Sequence, residues 1–330
     1  MKILFVSSGN SSTGISPVIL NQGQSLHEAG ANIDYFTIKG KGLKGYFSGI
    51  FTLIKYPHLS SYDIIHAHYS LSAITTGLAL IFKGKKGFKR MVVSLMGSEA
   101  HSSYISRFVI KIFYRFIWQK TIVKTEEMKD LLGLPGAIVI PNGVDIEKFK
   151  PIDKIDARKR IEYHEDNILI VFIADPARPE KNFNLAVKAF EALKREDARL
   201  EIVKNLPNDI IPFYLNAADI LLITSKREGS VNVAKEAMAC NCPVVTTNVG
   251  DISWILGKVK GTFITGFKAE DITSKLEDAI KYVIEETRTK GRERIIDLGL
   301  DSKSISRKLI SVYSEILQNQ EERSKSKSAS

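Results

Sequence analysis

The stretch Ile220-Leu221-Leu222-Ile223-Thr224-Ser225-Lys226-Arg227-Glu228-Gly229-Ser230-Val231-Asn232-Val233-Ala234-Lys235-Glu236-Ala237-Met238-Ala239 changes character twice. A short, fully apolar run is the pattern of a strand buried on both faces, as in a parallel sheet. Ile220–Thr224 therefore reads as a strand that empties into a loop carrying Glu228 and Gly229. Ser230 then reads as the N-cap of a helix through Ala239, whose free N–H groups and positive dipole end face the loop. That end, with Gly229, Ser230, Val231 and Asn232, is a ready site for an anion. Glu236 lies about two turns into the helix, so the two carboxylates stand on the order of 10–12 Å apart at ~1.5 Å per residue. The separation excludes a catalytic carboxyl dyad and suits the two ends of one extended ligand with a diphosphate between them.

The same alternation of apolar runs and amphipathic stretches continues in both directions, which predicts parallel sheets covered by helices. Upstream the predicted strands are Lys2–Ser7, Asn32–Ile38, Tyr62–His66, Met91–Leu95, Thr121–Val123 and Ala137–Ile140. The second half restarts with Ile168–Ala174, Arg199–Val203, Asp219–Thr224, Pro243–Thr247 and Gly261–Ile264. A chain of 330 residues suits two such lobes, since cores stop growing near ~250–300 residues. The expected division is 1–150, 151–303, a helix over 304–320 and a structureless tail over 321–330, with the polar stretch Lys148–Asp166 as linker. Ser16-Pro17 marks the start of the first helix and Gly30 its end.

With these residues in place the chain resembles the retaining glycosyltransferase family four, whose signature is Glu, seven residues, Glu, then Ala-Met-Ala, a small residue and Pro-Val-Val. Here the match is Glu228 to Glu236, Ala237-Met238-Ala239 and Pro243-Val244-Val245. The resemblance implies a GT-B fold, an α/β architecture of two Rossmann-like parallel-sheet lobes facing across a cleft, the C-terminal helix returning to the first. It implies a sugar moved from a nucleotide-diphosphate donor, UDP- or GDP-linked, to an acceptor hydroxyl with retention. Glu236 would then bind the donor ribose, Glu228 the transferred sugar, and Arg178 with Lys181, in Ala174–Asn182, would neutralise the departing diphosphate. No Asp-x-Asp, the usual metal–diphosphate clamp, occurs in the chain. Neither metal nor other cofactor is expected. Gly14, in the loop Gly9–Gly14 after the first strand, would approach the donor phosphates from the first lobe; the loop departs from G-x-G-x-x-G, which argues against a nicotinamide or flavin.

Departures from the family pattern bear on the acceptor. His-Gly-x-Asp is replaced by Met96-Gly97-Ser98-Glu99, with His101 two residues on, so Glu99 and His101, together with His68 at a strand end, are the acceptor-side candidates. Ile140-Pro141-Asn142-Gly143-Val144-Asp145 matches the turn that closes the family's first lobe. Other readings are a GT-B epimerase or phosphorylase, or a non-catalytic sugar-nucleotide-binding partner subunit.

The formal net charge is +10, which points to an anionic partner. No nucleic-acid module accompanies the charge, so nucleic acid is not expected. No apolar run reaches the ~18 residues of a membrane span; the nearest, Leu71–Phe82, is too short. Arg107, Lys111 and Arg115 form one stripe of the stretch 107–120 among aromatics and aliphatics, the composition of a helix lying on an anionic membrane. The Lys39–Lys55 segment, read as a loop with Lys39, Lys41, Lys44, Tyr46, Phe47 and Phe51, would add to that surface. Cys240 and Cys242, one residue apart, read as packing residues in a reducing compartment. The expected location is cytoplasmic, peripheral on the inner face of the plasma membrane, in polysaccharide or glycolipid assembly.

Overall fold

A computed structural model describes residues 1–10, 14–40, 42–84 and 88–328. The chain forms two compact units, residues 1–143 with the chain from Ser302 onward, and Val144–Asp301. Each is built on one parallel sheet.

The first sheet has six strands, β1 (Lys2–Ser8), β2 (Asn32–Ile38), β3 (Ile64–His68), β4 (Met91–Ser94), β5 (Lys120–Val123) and β6 (Ile138–Val139), in the order β2-β1-β3-β4-β5-β6. The apolar run Ile3–Val6 has no exposed surface to speak of, as a central parallel strand requires. The helices are α1 (Pro17–Glu28), α2 (Gly42–Ile54), α3 (Ser70–Lys83), α4 (Tyr104–Phe116) and α5 (Glu126–Leu132). Helix α3 lies between α2 and α4: Gly49 of α2 lets Thr75 approach, and Gly77 of α3 does the same for Phe113 and Ile117.

The second sheet has five strands, β7 (Ile168–Ile173), β8 (Ala198–Val203), β9 (Ile220–Ile223), β10 (Val244–Thr247) and β11 (Thr262–Thr265), in the order β11-β10-β9-β7-β8. Its helices are α6 (Lys154–Arg160), α7 (Phe183–Leu193), α8 (Ile211–Ala217), α9 (Asn232–Ala239), α10 (Ile252–Leu256), α11 (Ala269–Glu285) and α12 (Gly291–Asp297). Ala186 and Ala189 of α7 and Ile272, Leu276 and Ile280 of α11 bury Ile170, Phe172 and Leu222. The chain then returns to the first unit as α13 (Ser302–Ser328), burying Ile305, Leu309, Tyr313 and Ile316. Ser306 bonds Ser25 of α1 at 2.6 Å.

Four local expectations change. The Lys39–Lys55 segment is a helix, not a loop: Gly45 packs directly on Gly40, and Gly49, Ile50 and Leu53 turn inward at helical spacing, while Lys41 lies outside the described residues. The polar stretch 148–166 is folded rather than a linker. Arg158 is buried there, pairs with Asp219 at 3.0 Å and donates to the carbonyls of Glu165 and Asn167, so its charge is compensated on every side. The tail expected to lack structure continues α13 to Ser328, a run rich in Glu, Lys and Arg, all good helix formers. Gly143 is a crossing point rather than the centre of the turn: a side chain there would meet the Ser302 backbone at 2.8 Å, and the turn follows at Asp145–Phe149.

Candidate functional site

In each sheet the chain leaves the first strand to one side and crosses to the other for the third, so the strand order reverses between β1 and β3 and between β7 and β9. Loops leaving the carboxyl ends of such neighbours diverge to opposite faces and open a crevice, the usual ligand position in parallel sheets. The loops after β7 and β9 hold Arg178–Asn182 and Ser225–Val231.

These two loops are sewn together. The Lys226 N–H donates to the Glu180 carbonyl at 2.8 Å, and the Thr224 hydroxyl contacts the carbonyls of Lys181 and Asn182 at 3.0 and 3.1 Å. Asn182 starts α7 from a left-handed conformation, φ 55°, which asparagine tolerates. Across the seam Lys181 Nζ donates to Glu228 Oε1 at 2.5 Å, and the Ser225 hydroxyl donates to the same oxygen at 2.8 Å. Both charged side chains keep 17% of their surface exposed, enough for a ligand to reach them. Arg178 is placed differently: exposed, it forks onto Glu180 Oε1 at 2.8 and 2.5 Å and does not join Lys181.

Glu236 sits on α9, partly exposed, with its carboxyl pushed up to about 7 by burial against the opposing pull of Lys148 and Lys235. Ser230 is not the N-cap. The cap position is Val231, whose N–H donates to Asp251 Oδ1 at 3.1 Å, while the Ser230 hydroxyl donates to Asp251 Oδ2 at 2.7 Å. A carboxylate twenty residues further on has captured the Ser230 hydroxyl and the Val231 N–H, two of the groups that the sequence reading offered to an anion. Gly229 and Glu228 lie against Gly250, where a side chain would meet their carbonyls at 3.2 and 2.9 Å. Asn232 opens α9, its N–H on the Ser230 carbonyl at 3.0 Å.

On the first unit Gly14 has φ 79°, open to glycine and strained for other residues, and Ser11–Thr13 of the same loop lie outside the described residues. The three acceptor-side candidates separate. His68 is fully buried, stacked on His66 at 4.4 Å and edge-on to Phe5, with neither ring nitrogen bonded among the described residues; burial and nearby Lys124 push it down to about 3. Glu99 is also buried, and it accepts from the N–H groups of Ser70, Met96 and Gly97 at 2.9–3.0 Å, a clasp between the loops after β3 and β4. His101 alone is exposed. Among the described residues no three His, Cys, Asp or Glu side chains gather as a metal site, and no helix is long and apolar enough to cross a membrane.

Two family models match the chain, "Glycosyl transferase 4-like" over residues 12–124 and "Glycosyl transferases group 1" over 203–286, the second spanning both Glu228 and Glu236. A Bacillus subtilis protein assigned to teichuronic acid biosynthesis as a glycosyltransferase is 28% identical over 221 residues, 59% of this chain and 56% of the relative. The chain belongs to glycosyltransferase family four. This family-four chain spans little more than half the length of the curated relatives it matches. Sucrose-phosphate synthase from Thermosynechococcus elongatus shares its fold at TM-score 0.79 and 16% identity, covering 96% of this chain and 99% of the other. Anabaena HepE, solved in complex with UDP-glucose, does so at 0.72 and 18%, covering 96% and 100%. Both are GT-B folds, as the two parallel sheets here are. Sequence reading missed Ser225, Asp251 and Lys235; nothing local marks them, because their partners lie three, twenty and five residues away on other turns of the chain.

Proposed function

We propose that the protein transfers a sugar from a nucleotide-diphosphate donor, UDP- or GDP-linked, to an acceptor hydroxyl with retention of anomeric configuration. The observation that carries the reading is the Lys181–Glu228–Ser225 cluster on the loops of β7 and β9, where a cation and a carboxylate meet at the reversal of strand order. The presence of UDP-glucose in the related fold of HepE supports the donor class.

In this reading Lys181 moves from Glu228 to the diphosphate as negative charge develops on it, and Arg178 exchanges Glu180 for the same group. Preorganised cations at a developing charge are the largest usual contribution to such a reaction. Glu228, released and held by Ser225, orients the sugar hydroxyls, and Glu236 binds the ribose. The leaving phosphate oxygen takes the proton of the attacking hydroxyl, so no protein base is required. No metal enters the scheme.

The acceptor is a sugar or a lipid-linked sugar, met at the anionic inner face of the plasma membrane through the first unit. Two helical stripes support this. Tyr104, Ile105, Phe108, Ile112 and Phe116 of α4 are exposed beside Lys111 and Arg115, and Leu43, Phe47 and Phe51 of α2 are exposed beside Lys44. Apolar side chains flanked by lysine and arginine suit an interface of acyl chains and acidic headgroups. A role in polysaccharide or glycolipid assembly follows from that location.

The test is a thermal-shift screen of UDP- and GDP-sugars, since a ligand that binds only the folded state raises Tm. A hit is then incubated with acceptor, with and without EDTA, and the anomeric configuration of the product is read by NMR. Expected is a retained configuration and EDTA-resistant turnover. Stabilisation by no nucleotide sugar, an inverted product, or activity lost to EDTA and restored by Mn²⁺ contradicts the corresponding part of the scheme.

A further inference from the structure

Behind the loop that carries Glu228 lies a buried polar network that the proposed chemistry does not use. Lys235, with 1% of its side chain exposed, donates from Nζ to the Ser230 hydroxyl at 2.6 Å. That hydroxyl donates to Asp251 Oδ2 at 2.7 Å, and the other Asp251 oxygen accepts the Val231 N–H at 3.1 Å. Lys235 Nζ stands 3.9 Å from Asp251 Oδ2 with the Ser230 hydroxyl bridging them. The residue before Asp251, Gly250, has φ 54°, and a side chain there would meet the carbonyls of Glu228 and Gly229 at 2.9 and 3.2 Å.

Two charges taken out of water are a poor device for stability, because well-packed apolar residues of the same volume do as well. A directional network supplies something apolar packing does not. One carboxylate ties two successive loop residues through its two oxygens, which blocks both rotation and sliding of the loop. Lys235 also precedes Glu236 on α9, where consecutive side chains point ~100° apart. Fixing Lys235 in the interior therefore sets the register in which Glu236 is presented.

We infer that Asp251 and Lys235 are positioning residues, which hold the Glu228–Val231 loop and the start of α9 in the single arrangement that offers Glu228 and Glu236 to the donor. The inference rests on the reading of those two glutamates as donor-binding. Both side chains are buried, 1% exposed for Lys235 and 6% for Asp251, so they act through the loop.

Three variants test it: Asp251→Asn, Ser230→Ala and the double variant Asp251→Asn/Lys235→Met. The single Asp251→Asn removes the carboxylate that Lys235 reaches through Ser230 and loses thermal stability. The double variant removes both charges and melts close to wild type, so fold and positioning are separated; Ser230→Ala, which deletes only the bridging hydroxyl, is the reserve should the double variant fold poorly. In hydrogen–deuterium exchange of the ligand-free protein, peptides covering 228–233 exchange about tenfold faster in the double variant and in Ser230→Ala, while β7 and β9 keep native protection. The Kd for the tightest binder among UDP, GDP and ADP rises about tenfold or more in the same variants, with protein folding unchanged. Native protection of 228–233 in the double variant overturns the inference, as does faster exchange with unchanged affinity. If wild type binds none of the three nucleotides, the donor reading fails, while the exchange measurement still decides whether the network holds the loop.

Discussion

Lys181 and Glu228 are counter-ions of each other, and in the proposed reaction each releases the other when the donor binds. In the proposed reaction the Lys181 cation, held 2.5 Å from Glu228, exchanges that carboxylate oxygen for a diphosphate oxygen as charge develops there. Lys181→Ala is accordingly expected to lower kcat by about 10²–10³, the usual cost of one such donor, measured in single-turnover assays with saturating donor. Arg178→Ala costs less, because the guanidinium is 56% exposed and screened by water while the Lys181 ammonium is 17% exposed, and equal losses in the two variants would count against this ordering. Glu236 adds a pH dependence. Its carboxyl is pushed up to about 7, so it is ionised above that value and protonated below it. Hydroxyl groups bond an ionised carboxylate more strongly than a neutral acid. Donor affinity should therefore rise as pH increases from 6 to 8, and Glu236→Gln should bind weakly with a flat profile; a wild-type affinity that is level or falls across this range, read by calorimetry, would remove the carboxylate from the contact.

Helices α2 and α4 each carry a contiguous row of large apolar side chains outward, Leu43, Phe47 and Phe51 on the one and Tyr104, Ile105, Phe108, Ile112 and Phe116 on the other, and such patches mark interaction surfaces. If the partner is a lipid surface, Phe47→Glu/Phe51→Glu should abolish flotation on anionic vesicles without lowering Tm, since both rings are already exposed. Arg107→Glu/Lys111→Glu/Arg115→Glu should shift the salt dependence, at about 1 kcal/mol per cation near the surface. Flotation of both variants as efficient as wild type would assign the stripes another role. At this scale the sequence was legible wherever burial on both faces enforces an apolar run: every strand was anticipated to within a residue or two, and the Glu228–Glu236 span fell on the loop and helix expected of it. Helix α2 was not legible, because Gly40, Gly42, Gly45 and Gly49 look like breakers, although two of them are what lets the helix lie against its neighbours. The 148–166 stretch misled for a different reason: Arg158 reads as solvated until Asp219, 61 residues on, is found beside it. The N-cap at Ser230 failed likewise, since local hydrogen-bonding propensity cannot foresee a competing carboxylate arriving from after β10.

Across the molecule the same strand order is used twice, and each reversal places chemistry-bearing loops at the carboxyl ends of adjacent strands. In the first unit, however, the side chains at the reversal have been turned inward to lock the C-terminal helix. His66, at the centre of the sheet, lies 2.6 Å through Nδ1 from the Tyr313 hydroxyl of α13 and 2.8 Å through Nε2 from the Ser94 hydroxyl, with His68 stacked on it and buried Lys124 nearby. Burial first, then His68 and Lys124, hold His66 well below the ordinary histidine value, and burial and Lys124 push His68 down to about 3. Both rings are therefore neutral in the folded chain and take up a proton at ~6.5 when unfolded. The unfolded state binds more protons as the pH falls, so the stability contributed by these rings is complete above about 6.5 and declines below it, by ~1.4 kcal/mol per pH unit for each ring. Between pH 6.5 and 4.5 His68, pushed down to about 3, removes roughly 2 kcal/mol, and His66 shifts stability in the same direction. The expected outcome is that the first unit loses stability as the pH falls below 6.5, with α13 loosening alongside β3, followed by circular dichroism and by exchange of the 302–320 amides. His68→Phe keeps the ring contacts with His66 and Phe5 but carries no proton, and should flatten the dependence of unfolding free energy on pH between 6 and 4 by about one proton, or ~1.4 kcal/mol per unit. Equal slopes for wild type and His68→Phe in urea unfolding at those pH values would show that His68 is not a source of the acid sensitivity.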